Sequence, residues 1–142
     1  MIQTFLKDKL KALLPDLTWT VDYKTADDNT GTVYYEGGGK PAEYEVPTRH
    51  PRYMVLLSSS DWEYAEHAAQ VVFDSLHKLM HETVKVNFFR NGDVVATKRY
   101  RVFLITAASE PIPLGVENDV MDYSVNFDVT LVEIKEENNN GT

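Results

Sequence analysis

The chain contains no cysteine, so disulfides and thiolate metal sites are excluded, and the composition suits a reducing cytosol or a particle assembled there. Basic residues are few: 14 Lys and Arg stand against 22 Asp and Glu, a formal charge of -8. A general nucleic-acid binder gains affinity by neutralising phosphates with Lys and Arg, so this balance argues against that class, while favouring solubility. No apolar run approaches the ~18 residues of a membrane span. The first segment scatters Lys7, Asp8, Lys9 and Lys11 through what would be the apolar region of a signal peptide, so neither secretion nor membrane residence is expected. There is no Gly-x-Ser-x-Gly elbow, no internal repeat and no linker long enough to divide the chain.

What is present suits one folded domain. A chain of 142 residues with 43% hydrophobic and 25% charged residues buries roughly two-thirds of its unfolded surface. Ile2, Phe5, Leu6, Leu10, Leu13 and Leu14 recur at helical spacing before Pro15, which predicts a first helix whose stripe packs on the domain's own sheet. Leu17 to Asp22 and Thr32 to Glu36 read as two strands of a meander joined by a turn at Asp27 to Gly31. Gly37-Gly38-Gly39-Lys40-Pro41 then forms a flexible tip before a strand at Tyr44 to Val46, either a plain solvent loop or one ordered by a partner. It is not a phosphate loop, because Tyr34 stands where the first glycine belongs and Pro41 follows Lys40.

Arg52 to Ser59, with its continuous Met54 to Leu57 run, is the candidate central strand. Ser60-Asp61-Trp62-Glu63 matches the Ser-x-x-Glu capping signature and predicts a second helix to about Met80 or Glu82, with Ala65, Ala68, Ala69, Val72, Leu76, Leu79 and Met80 inward. On such a helix Asp74, His77 and His81 share a face that offers a carboxylate and two imidazoles to a metal. The spacing lacks the His-Glu-x-x-His pattern of a metalloprotease. A polar face that is either outward and solvated or packed on a neighbouring subunit is the reading adopted, with no catalytic, cofactor or metal residue assigned.

Thr83 to Phe89 and Val94 to Thr106 flank Asn91-Gly92, the strongest short hairpin signal in the chain. Lys98-Arg99-Tyr100-Arg101 concentrates positive charge, with Arg99 and Arg101 on one face, and reads as a surface for an acidic neighbour. Pro111, Pro113 and Gly115 predict a bend. Beyond it Tyr123, Val125, Phe127, Val129 and Leu131 alternate with Ser124, Asn126, Asp128 and Thr130, the period of a half-buried strand. The tail 136–142 has nothing to bury and is expected to be disordered. The fold class expected is α+β, a mixed, mainly antiparallel sheet with two helices packed against it, spanning 1–135.

Pro113-Leu114-Gly115, a short acidic loop, Tyr123 and Asn126-Phe127 leading into a closing strand resemble the minor capsid or tail-terminator (tail-completion, head-tail joining) proteins of long-tailed bacteriophages and prophages. The order of helix, meander, long helix and further strands extends the resemblance over most of the chain. After Gly115 the chain reads Val116-Glu117-Asn118-Asp119, without the basic or glycine-rich turn of close relatives. The resemblance implies a structural protein without catalysis, in the virion at the head-tail junction and in host cytoplasm during assembly. It would form a ring, commonly a hexamer, that caps the tail tube and meets a neck protein, with DNA passing through unbound. Gly37, Gly38, Gly39, Lys40, Arg99, Arg101, Ser124, Asn126 and Asp128 are the candidate partner or subunit contacts. A head-closure or other neck component is the alternative, and a small metal-binding enzyme using His77 and His81 a more distant one.

Overall fold

The alternating run that begins at Tyr123 is the spine of the fold in a computed structural model, which describes residues 1–37, 41 and 47–135. The elements are α1 (Ile2–Leu13), β1 (Thr18–Val21), β2 (Thr30–Tyr35), β3 (Thr48–Arg49), β4 (Arg52–Ser59), α2 (Trp62–Leu76), β5 (Leu79–Arg90), β6 (Asp93–Ala107), β7 (Ile112–Glu117) and β8 (Val120–Ile134). They form one mixed eight-stranded sheet in the order β1-β2-β4-β8-β6-β5, with β3 and β7 also paired to β8. One flank of β8 takes β4 and then β3, and the other takes β7 along its first half and β6 along its second. Four strands therefore meet on this one, which is why its inward residues Val125, Phe127, Val129 and Leu131 are almost completely buried.

The core joins these residues to Val55 and Leu57 of β4, Leu6 and Leu10 of α1, and Ala68, Ala69, Val72 and Leu76 of α2. The alanines of α2 let its axis approach β4 and β8, while α1 lies against β1, β2 and the edge of β5. Leu13 departs from the expected stripe and is exposed. Trp19 fastens the end of α1: its indole Nε1 donates to the Leu14 carbonyl at 2.8 Å. Its ring lies so close over Gly31 that a Cβ there would come within 2.5 Å of Cζ3.

Three sequence expectations are corrected. The first two strands do not form a meander: Thr18 pairs with Thr30 and Val21 with Val33, so β1 and β2 are parallel. Asp22, at φ 63, turns the chain out of β1; the short return then brings Asn29 beside Thr18, whose N–H donates to the Asn29 carbonyl. The second helix stops at Leu76, because His77 is already extended and Lys78 has φ 67. Leu79 and Met80 instead pair with Ile105 and Leu104 in the β5–β6 ladder. The bend at Pro113 to Gly115 is part of β7; the reversal comes later, at Asn118 (φ 51) and Asp119 (φ 64). Two successive positive φ values give the turn that matches strand twist, and Asn and Asp tolerate them best after Gly. Gly115, at φ 109, absorbs the register shift between Pro113 and Gly115, and Pro113 is tolerated because β7 is an edge strand.

The cap of α2 is also displaced by one residue. Asp61, not Ser60, is the N-cap and accepts from the Tyr64 N–H at 3.2 Å. Ser60 is taken by Asp28, whose two carboxylate oxygens accept its N–H and its hydroxyl, each at 2.7 Å. Those bonds hold the Asp28 carboxyl below the usual carboxylate range.

Candidate functional site

Ser124, Asn126 and Asp128 alternate with the buried residues of β8, so they occupy the face of the sheet turned away from the core. There Ser124 lies opposite Leu56, Asn126 opposite Met54 and Asp128 opposite Arg52. Arg99 and Arg101 of β6 lie opposite Ile134 and Val132, which share that parity, so the fold gathers all five candidates on one face. Their environments differ. Ser124 is buried and accepts from Asn126 Nδ2 at 2.9 Å, whereas Asp128 accepts from Arg52 Nε at 3.2 Å across the ladder. The first pair is an internal support; the second is an exposed ion pair near a cavity of about 190 Å³ bordered by Glu36, Tyr53 and Ala108.

Arg99 and Arg101 are both exposed. Arg99 lies across from Lys85 of β5 and Arg101 from Thr83, so three cations cluster with no carboxylate directly opposite. Among the described residues neither arginine has a salt bridge, although Arg101 rests 5.5 Å from the centre of its own strand's Phe103 ring. Lys98 points to the other face and reaches Glu133 at 3.9 Å. Gly37 has φ 66, while Gly38, Gly39, Lys40 and the strand expected at Tyr44 to Val46 lie outside the described residues, as does the tail 136–142.

The His77 and His81 helix face does not exist. His77 caps α2, its ring stacks on Phe73 at 5.0 Å, and its Nδ1 accepts the Ala107 N–H at 3.0 Å. That bond uses one ring nitrogen to clasp the end of α2 to the end of β6. His81 belongs to β5 with φ 59, so the helical spacing that would have aligned it with Asp74 and His77 is lost. Among the described residues no group of three or more His, Asp or Glu is placed to hold a metal ion.

The pattern reading missed two exposed apolar surfaces. Phe89 is 63% exposed and Val94 and Val95 are 52% and 61% exposed at the end of the β5–β6 hairpin. Ile112, Leu114 and Val116 are exposed along β7. The sequence carried one signal for the first: consecutive Val94 and Val95 beside a two-residue turn cannot both face a core on a strand of period two. No family model matches the chain, and a comparison with curated proteins finds no match either.

Proposed function

We propose that the protein is a structural component of the tail-terminator type, an α+β domain with two helices packed on its sheet. It acts as a ring subunit that caps a phage tail tube and joins it to the head, in the virion and, during assembly, in host cytoplasm. The observation that carries this reading is the concentration of exposed apolar side chains on two hairpins, Phe89, Val94 and Val95 on one and Ile112, Leu114 and Val116 on the other. A protein acting alone gains nothing from such surface; grouped apolar residues of this kind mark protein contacts. The strand that carried the sequence resemblance, with Tyr123, Asn126 and Phe127, is also the one on which four others assemble, and no helix among the described residues is long and apolar enough to cross a membrane.

The test combines solution mass over a range of concentration and salt with electron microscopy of the protein mixed with a tail-tube protein. Rings seated at tube ends are expected. A protein that stays monomeric at high concentration and leaves tube ends uncapped removes the reading.

A further inference from the structure

The two exposed apolar hairpins lie at opposite ends of the same strand. β6 pairs with β8 from Arg99 opposite Ile134 to Ala107 opposite Phe127, so the Asn91-Gly92 turn projects past the C-terminal end of β8. Among the described residues, Asp93 to Lys98 pair with β5 alone. β7 runs beside the N-terminal half of β8, its turn at Asn118 and Asp119 marking the other end. Among the described residues β7 pairs with β8 only, which leaves its second edge without a strand.

Their charges are opposite. Between residues 85 and 101 stand Lys85, Arg90, Lys98, Arg99 and Arg101 against the single acid Asp93. Between residues 108 and 122 stand Glu110, Glu117, Asp119 and Asp122 with no Lys or Arg at all. In a chain of net charge -8, the basic group is a local inversion, and its complement on this same molecule has an apolar centre of similar make-up.

We propose that the β5–β6 hairpin end of one copy docks against the β7 edge of a second copy, Phe89, Val94 and Val95 meeting Ile112 and Leu114 within a rim of opposite charges. This rests on the reading of the chain as a ring subunit and names the contact that closes the ring. The two patches differ and sit at opposite ends, so the contact is heterologous; repeated, it generates a ring where the rotation closes and a filament where it does not. Desolvated apolar residues supply affinity, and the charged rim supplies orientation and a salt-dependent encounter rate.

Charge reversal tests it directly. Arg90→Glu with Arg99→Glu cancels the net positive charge of the hairpin, and Glu110→Lys with Glu117→Lys cancels the net negative charge around β7; all four positions are exposed, and circular dichroism with thermal melting checks that each variant folds. In sedimentation velocity the wild type associates, and each reversed variant alone falls toward the single-chain mass of 16.2 kDa, with dissociation constants raised at least about tenfold. An equimolar mixture of the two recovers pairing, because the unaltered basic hairpin of one variant then meets the unaltered acidic β7 edge of the other. The absence of cysteine allows a second readout: Val94→Cys mixed with Leu114→Cys forms a disulfide-linked dimer under oxidation, and neither variant does so alone. A wild type that is monomeric at every concentration, reversed variants that assemble unchanged, or a mixture that stays monomeric overturns the contact. Rings formed without it would leave the terminator reading standing, whereas chains cross-linked between 94 and 114 that ignore tube ends would sink that reading and keep the contact.

Discussion

Gly31 and Trp19 form the tightest residue-level constraint. The indole lies where a side chain at 31 would go, and its N–H is already committed to the Leu14 carbonyl, so the ring cannot retreat without leaving that acceptor. Gly31→Ala is therefore expected to cost about 1–3 kcal/mol, as overpacked cores do, read as a fall in the urea midpoint. Tyr53 gives a pH signature. Burial, with a smaller contribution from Tyr35, pushes its phenol well above the ordinary value near 10. A raised folded pKa means that its contribution is fully present below the unfolded value and is lost as pH rises through the folded one. Stability should decline on the alkaline side from about pH 10, and Tyr53→Phe should flatten that decline in urea titrations at neutral and alkaline pH.

At the scale of elements, the start of α2 is a junction between distant segments. Asp61 caps the helix, Ser59 donates to the Asn29 side chain at 2.7 Å, and Ser60 is held by Asp28. Asp61→Ala is expected to destabilise by about 1 kcal/mol, measurable by thermal melting, whereas Ser60→Ala should act mainly at neutral pH and little at low pH. The sign follows from the Asp28 carboxyl, whose pKa is depressed chiefly by the Ser60 hydroxyl. Its contribution is present above the ordinary carboxylate value near 4 and is lost as pH falls through the lowered value. Removing the hydroxyl should therefore reduce the loss of stability on acidification. At the other end of α2, the Lys78 N–H donates to the Ile105 carbonyl at 2.7 Å, and this clasp to β6 ends the helix where the apolar period would have continued it.

For the whole molecule, charge distribution matters more than net charge. The acidic excess is locally inverted where β5 and β6 bring Lys85, Arg99 and Arg101 together, and in the proposed ring these residues face a neighbouring subunit. A bore lined by acidic or neutral surface lets duplex DNA pass, because like charge disfavours condensation of phosphates on the wall. Duplex DNA binding at moderate salt should be undetectable for the wild type and for Arg99→Glu with Arg101→Glu, by fluorescence anisotropy at low and physiological salt. Tight wild-type binding that disappears in the double variant would instead identify a nucleic-acid-binding face.

The sequence alone determined what local chemistry controls. Alternation from Tyr123 to Leu131 specified a strand and its inward face, Asn91-Gly92 specified a hairpin with φ 51 and 85 at its two turn positions, and Met54 to Leu57 marked a central strand, because period, turn conformation and burial on both faces are written in neighbouring residues. It also placed Arg99 and Arg101 on one face. Only the tertiary structure decided that β1 and β2 are parallel, that Leu79 and Met80 leave the helix for β5, and that Asn118 and Asp119 make the reversal in place of Gly115. An apolar period specifies which face is buried but not which strand lies beside it or in which direction. Those choices rest on contacts between residues far apart in the chain, such as His77 with Ala107 and Lys78 with Ile105, and they left Phe89 and Val94 on a projecting hairpin where the pattern by itself could not tell an exposed apolar side chain from a buried one.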